Sequence, residues 1–379
     1  MIVFTLIGVW ELCKFSDFTK LSQGLQIAIV DRFSTPDINR EFYITNEFLS
    51  TKSTKKYYIE NPPATVIADK DDILMTRTGN TGKVVTNTKG AFHNNFFKIA
   101  YNKKKTSKLF LYFLLTSPPI QKEILIRAGT STIPDLNHND FYKIIVKIPS
   151  EKEQQKIGNL LKKIDDIITL HQRKLEQLKE LKKAYLQLMF PKKDEIVPRM
   201  RFVDFEGEWE LCKLGDVANR YDNLRVPITA SKRISGNTPY YGANGIQDFV
   251  EGYTHDGEFI LVAEDGANDL KDYPVQYVNG KVWVNNHAHV LQAKQSIANN
   301  KFLMNAIKNI NIELFLVGGS RAKLNADIMM KLEINMPVKN EQIRVSEFCT
   351  QLDNIITIYQ NKLNQLKSLK KSYLQNMFI

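Results

Sequence analysis

Apolar residues recur at alternating four- and three-residue steps over two long stretches of the chain. In the first, Ile157, Leu161, Ile164, Ile168, Leu175 and Leu178 lead on to Tyr185 and Met189. In the second, Val345, Cys349, Leu352, Ile356, Tyr359, Leu363 and Leu366 lead on to Tyr373 and Met377. This is the stripe of a coiled-coil helix, on segments without internal proline and rich in helix-favouring Leu, Lys, Gln and Glu. One slot in each stripe holds a lysine, Lys182 or Lys370, and the neighbouring Leu181 and Leu369 are expected to take over by a local shift of register. Ser150 and Glu153 have the spacing of a capping box at the first helix start. About 40 residues at ~1.5 Å each make a rod of roughly 60 Å, whose stripe needs a partner.

Between these stretches the pattern changes to short alternating runs broken by Asn, Gly, Asp and Pro. Tyr57–Glu60, Val66–Ala68, Ile73–Thr76, Lys83–Thr86 and Phe96–Tyr101 read as strands, with a last strand at Phe141–Ile148. Lys108–Leu115 and Ile120–Arg127 read as helices flanking them. After a proline-bounded linker at 191–208, Glu258–Ala263, Val275–Val278 and Val282–Asn286 read as strands and Asn300–Lys308 as a helix. Thr238–Gly245 reads as a turn-rich aromatic loop, and the apolar Met1–Val9 as a first strand.

The two long stretches are copies. Pro149 to Phe190 and Pro337 to Phe378 align without a gap at 21 identities in 42 positions, and Trp-Glu-Leu-Cys-Lys occurs at both Trp10–Lys14 and Trp209–Lys213. The chain is therefore read as an α+β protein of two tandem globular modules, each a mixed sheet or part-barrel with flanking helices. The boundaries are 1–150 for the first module, 151–190 for its long helix and 191–208 for the linker. Residues 209–338 form the second module and 339–379 its helix. Two similar stripes in one chain meet at high effective concentration. The helices are thus expected to pair with each other as an antiparallel coiled coil about an internal pseudo-two-fold axis, with coiled-coil dimerisation between chains as the alternative.

There is no apolar run long enough to span a membrane. Three cysteines, two of them repeat equivalents, suit a reducing cytoplasm without disulfides. The net charge is +11, and residues 1–150 carry 20 basic against 13 acidic side chains. That excess fits a polyanionic partner, whereas residues 209–338, with 13 against 14, are near neutral.

Most enzymatic signals dissolve on inspection. Asn61-Pro62-Pro63-Ala64 lacks the ring that would stack a flipped base and reads as a turn. Gly79-Asn-Thr-Gly82-Lys83 has the wrong spacing for a phosphate loop and reads as a hairpin turn with Arg77 and Lys83 at its rim. His287-Ala-His289, placed on a strand, puts both rings on one face, but no third ligand accompanies them and no metal is assigned. The polar loops are more telling, because Arg and Asn pair with base edges while Lys and Tyr serve phosphates. The candidates are Arg32, Asn39, Arg40, Lys52, Lys55, Lys56, Arg77, Asn80 and Lys83 in the first module. In the second they are Arg220, Asn223, Arg225, Lys232, Arg233, Asn237, Tyr240, Tyr241, Asn244 and His287.

Several words of the chain are specific: Met200-Arg-Phe-Val-Asp-Phe-Glu-Gly-Glu-Trp-Glu, Tyr240-Tyr-Gly-Ala-Asn-Gly, Ala263-Glu-Asp-Gly-Ala-Asn, Trp283-Val-Asn-Asn-His-Ala-His and Asp72-Ile-Leu-Met-Thr-Arg-Thr-Gly. With Glu153-Gln154 and Glu341-Gln342 near the helix starts, the whole chain resembles the specificity subunit of type I restriction–modification enzymes. Ile2, Thr5 and Val9 stand where the second half has Arg201, Asp204 and Glu208, so the first half departs from the pattern. The resemblance implies that each module reads one half of a split target in double-stranded DNA. It implies that the helices set the spacing and dock two methyltransferase subunits, through which restriction–translocation subunits join. S-adenosylmethionine, ATP and Mg²⁺ would then belong to those partners and no catalysis or cofactor to this chain. The competing reading is a coiled-coil interaction scaffold without DNA specificity.

Overall fold

A computed structural model describes residues 10–50, 53–130, 132–192, 195–319 and 322–378. The expectation for Met1–Val9 therefore lies outside the described residues. The chain divides into two compact units, one of 1–172 with 361–379 and the other of 173–360. Each unit contains half of each long helix.

In the first unit, two four-stranded sheets follow the runs of alternating residues. One has the order Thr19–Gln23, Phe96–Tyr101, Ile73–Thr76, Val84–Val85, and the other Tyr57–Glu60, Arg40–Ile44, Gly90–Phe92, Ile67–Ala68. Helices Lys108–Thr116 and Pro118–Ala128 follow, the first burying Phe110, Leu111, Phe113, Leu114 and Leu115. Phe141–Ile148 is not one strand. His138–Tyr142 is helical, started by the Asn137 side chain accepting from the Asp140 N–H, and only Ile145–Ile148 is extended. Local capping by asparagine competes with the strand pattern there.

In the second unit a six-stranded sheet runs Ala218–Arg220, Ala288–Ala293, His255–Ala263, Val275–Val284, Ser235–Gly242, Gly245–Val250, and Glu210–Lys213 pairs separately with Glu333–Met336. Two expectations are corrected here. Thr238–Gly245 is no loop but the centre of a hairpin, Ser235–Gly242 against Gly245–Val250, turned at Ala243 and Asn244 with Gly245 at φ +112°. Val275 to Val284 is one strand through Asn279 and Gly280, because its central residues stay paired with Gly257 and Glu258.

Both long helices form, Glu151–Met189 and Lys339–Asn376, and they pair antiparallel. In the first unit Ile157 and Leu161 share a core with Phe378, and Lys370 pairs with Asp165. In the second, Tyr185 packs on Phe348 and Lys182 pairs with Asp353. Ile157, Leu161, Ile164, Ile168, Leu175, Leu178, Val345, Leu352 and Leu363 are buried, while Ile356 and Leu366 are half-buried. The register does not shift at the lysines: Leu181 and Leu369 remain 43% and 42% exposed. Each lysine instead reaches an aspartate on the opposite helix at 2.5 Å.

The helix starts are tied to the modules by buried glutamines. Gln154 accepts from Ser107 N–H at 3.0 Å and donates to Pro149 and Lys105 carbonyls. Gln342 repeats this with Asn299 N–H, Pro337 and Ile297. Each glutamine thus satisfies a free N–H at the start of a module helix, a carbonyl just before it and the proline carbonyl that precedes its own long helix. Gly158 sits where a Cβ would meet Leu109 Cβ at 2.7 Å, so the first long helix can lie close against the module.

Candidate nucleic-acid interface

Each unit carries one short 3-10 turn held by an arginine and a tyrosine. In the first it is Ile29–Asp31. Arg32 Nε and Nη2 donate to the Ile27 carbonyl at 3.1 and 2.8 Å, and its guanidinium lies 5.3 Å from the Tyr43 ring centre. The Tyr43 hydroxyl donates to the Leu25 carbonyl at 2.5 Å and accepts from Ile27 N–H. Burial pushes that hydroxyl above the usual tyrosine range, keeping it protonated as a donor.

In the second unit the turn is Ala230–Lys232. Arg233 Nε donates to the Ile228 carbonyl at 3.2 Å, its guanidinium 4.2 Å over Tyr240. The Tyr240 hydroxyl bonds both the N–H and the carbonyl of Ile228. Tyr43 and Tyr240 occupy corresponding strands, each paired parallel with a later strand at Ala91 and Trp283. The two modules therefore share an internal device that their divergent sequences hide. The spacing Ile27 to Arg32 and Ile228 to Arg233 is the only linear trace of it.

The other candidates fall into two groups. Lys55, Lys56, Asn80, Lys83, Arg220, Asn223, Lys232, Asn237 and Asn244 are exposed, whereas Lys52 lies outside the described residues. Asn80 and Lys83 stand on the expected hairpin loop, where Gly79 and Gly82 take φ +84° and +87°. The second group is already engaged. Arg77 pairs with Asp135 at 2.6 Å, at the edge of a cleft of about 430 Å³ that His138 and Asn137 also line. Arg40 lies 3.6 Å over Phe33. Tyr241 packs against the Phe259–Val284 cluster, and burial raises its hydroxyl.

Arg225 is drawn furthest in. Its Nη1 donates to Glu264 at 2.6 Å, beside Asp222 and His289. Asp222, Glu264 and His289 bring a carboxylate, a carboxylate and an imidazole within 4.8 Å of one another. The chain's own cations fill this set, with Lys323 on Glu264 at 2.7 Å. His289 points Nδ1 at Asp222 and Nε2 at the Leu324 carbonyl, so both ring nitrogens face acceptors. Burial acts to raise the Asp222 carboxyl, but the His289 hydrogen bond, the Val290 N–H and Arg225 outweigh it and hold it below the usual range. Glu264 is likewise held low, its burial offset by Lys323 and Arg225. The two histidines do not share a face as expected: His287 lies in the turn before the strand and pairs with Asp265 at 2.6 Å.

The specific words of the second half converge around His287. Asn244 bonds the Gly266 carbonyl and the Asn268 N–H, each at 2.9 Å, and Asn285 caps the His287 N–H at 2.8 Å. Asn244, Gln247, Asp265 and His287 line an open cleft of about 240 Å³.

The model of the type I restriction modification DNA specificity domain matches the chain twice, over residues 10–180 and 206–368. The chain belongs to this family. Each match of the specificity domain covers a module and most of its long helix. Among relatives, the MjaVIII specificity subunit of Methanocaldococcus jannaschii is 20% identical over 96% of this chain and 90% of its own length. A Haemophilus influenzae protein described as a type I restriction enzyme specificity subunit is 46% identical, over 39% of this chain and 38% of that relative. The fold of the specificity chain is also that of the S subunit from M. genitalium, with a TM-score of 0.69 and 16% identity over 100% of this chain and 98% of that one.

Proposed function

We propose that this chain is the DNA-recognition subunit of a type I restriction–modification system, each module reading one half of a split duplex target. The observation that carries the reading is the doubled match of the specificity domain, with one frame repeated around two different interiors. Residues 1–150 and 209–338 are the recognition modules, joined by 191–208. The helices at 151–190 and 339–379 hold them at a fixed separation and dock two methyltransferase subunits. Those partners supply S-adenosylmethionine and adenine methylation, and restriction subunits with ATP and Mg²⁺ join through them. Exposed Lys55, Lys56, Lys83 and Arg220 serve phosphates, while Asn80, Asn223, Asn237 and Lys232 face base edges and Asn244, bonded to Gly266 and Asn268, shapes its loop. Arg32, Arg77, Arg225, Arg233, Tyr240 and His287 shape the surfaces that present them.

Binding should be tested on the chain assembled with its modification subunits. Retention of duplex DNA should fall steeply as salt rises from 50 to 200 mM, since phosphate contacts release counterions; six contacts would cost about a thousandfold. The pure chain with Mg²⁺ and labelled S-adenosylmethionine should transfer no methyl group. Salt-independent binding, or turnover by the pure chain, would contradict the proposal.

A further inference from the structure

The clamped turns present their tips to solvent with no role in either core. Ile29 and Val30 are 72% and 89% exposed, and Ile38 on the same connection is 96% exposed. Isolated exposed apolar residues are ordinary. These stand instead on a backbone fixed from beneath by Arg32 and Tyr43, in the more basic of the two modules. The bridge Phe33 to Tyr58 ties the turn to the strand that Lys55 and Lys56 lead into. At the matching place the second module keeps the arginine and the tyrosine but carries Ala230, Ser231 and Lys232. A constant clamp under a changed tip is what a reader needs when the frame must stay and the target must differ. A rigid tip also loses little entropy on contact.

Resting on the DNA-recognition reading, we propose that this turn is the base-reading tip of each module, and that Ile29 and Val30 of the first module contact thymine methyl groups in the major groove. Thymine alone offers a methyl there, and apolar side chains recognise it without hydrogen bonds. Asp31 is placed to accept from a cytosine amino group, whereas Lys232 on the other tip suits guanine. Arg32 and Arg233 are positioning residues. Their guanidiniums hold the turn, and their charge is not what the DNA requires.

The test uses the complex of the chain with its modification subunits. Mapping N6-methyladenine gives the split motif, and exchange of residues 209–338 identifies the half belonging to the first module. Binding is then measured on duplexes in which deoxyuridine replaces each thymidine of that half in turn. Loss of a contacted methyl should weaken binding by the native protein about fourfold, and Ile29→Ala with Val30→Ala should abolish this difference. The triple exchange Ile29→Ala, Val30→Ser and Asp31→Lys should alter the first half of the motif and leave the second half and the spacer unchanged. Arg32→Lys keeps the charge but not the paired bonds to Ile27, and should weaken binding to the first half like loss of the tip.

A first half-site without an A·T pair, indifference to deoxyuridine at every position, or a triple exchange that leaves the motif intact would overturn the proposal. Loss of both halves would do so too, since side chains this exposed contribute little to folding. Absence of any split motif would instead fail the DNA-recognition reading itself.

Discussion

Arg201 and Glu341 show how a single residue changes the joint between helix and module. Glu341 is fully buried and takes two guanidinium bonds, both at 2.7 Å. The pair raises the already high pKa of Arg201, the Glu341 hydrogen bond being the main cause. In the first half the position of Arg201 is Ile2, and Glu153 is met instead by the Trp10 indole N–H at 3.2 Å. The corresponding indole, Trp209 Nε1, is buried with no partner. Removing one member of a buried ion pair leaves the other charge uncompensated. Arg201→Ala should therefore destabilise the second unit by about 3–5 kcal/mol, and Glu341→Gln should recover part of that loss in the Arg201→Ala background. Urea unfolding of the native chain and the two variants checks this; no recovery in the double variant would contradict it. At this scale the sequence offered Arg and Asn as contact residues but could not separate free side chains from engaged ones. Arg77 finds Asp135 and Arg225 finds Glu264 only when distant strands are brought together, and that pairing has no local signature.

At the scale of elements, strong periodicity made the long helices legible almost to the residue, and Ile73–Thr76 and Phe96–Tyr101 likewise. The errors fell where a local rule was overridden. Asn137 capped a helical turn inside a run that alternates like a strand. Sheet pairing carried a strand through Asn279 and Gly280, residues that ordinarily break one. The lysines in the helix stripe stayed in place because each has an aspartate on the facing helix, which a single stripe cannot reveal. Lys182–Asp353 and Lys370–Asp165 are the same contact counted from each half of the repeat. Polar pairs in such seams select register at some cost in stability. Replacing all four residues by leucine should leave urea stability unchanged or raise it by about 1–2 kcal/mol. Engineered cysteine pairs across the seam should then cross-link in more than one register. A drop in stability with a single register retained would contradict this role.

On the scale of the whole molecule, the repeat was legible because its copies are half identical, whereas the kinship of the module interiors was not. Two sheets of four strands and one sheet of six hold the same arginine–tyrosine clamp, yet only its spacing survives in the sequence. Selection on the frame and divergence at the tips would produce that combination. Net charge was a weaker guide, since the near-neutral second module offers as many candidate contact residues as the basic first one. Among the described residues no helix is long and apolar enough to cross a membrane, and Cys13, Cys212 and Cys349 are free thiols.

The central claim, that two unlike readers on one frame recognise a split DNA target, is tested most directly by mapping N6-methyladenine genome-wide. The comparison is between cells with and without this gene, in the presence of its modification partner. The account predicts a two-part motif that disappears on deletion and whose spacer, but neither half, changes when one heptad is removed from a long helix. An unchanged adenine methylation pattern, with the partner normally expressed, would contradict it.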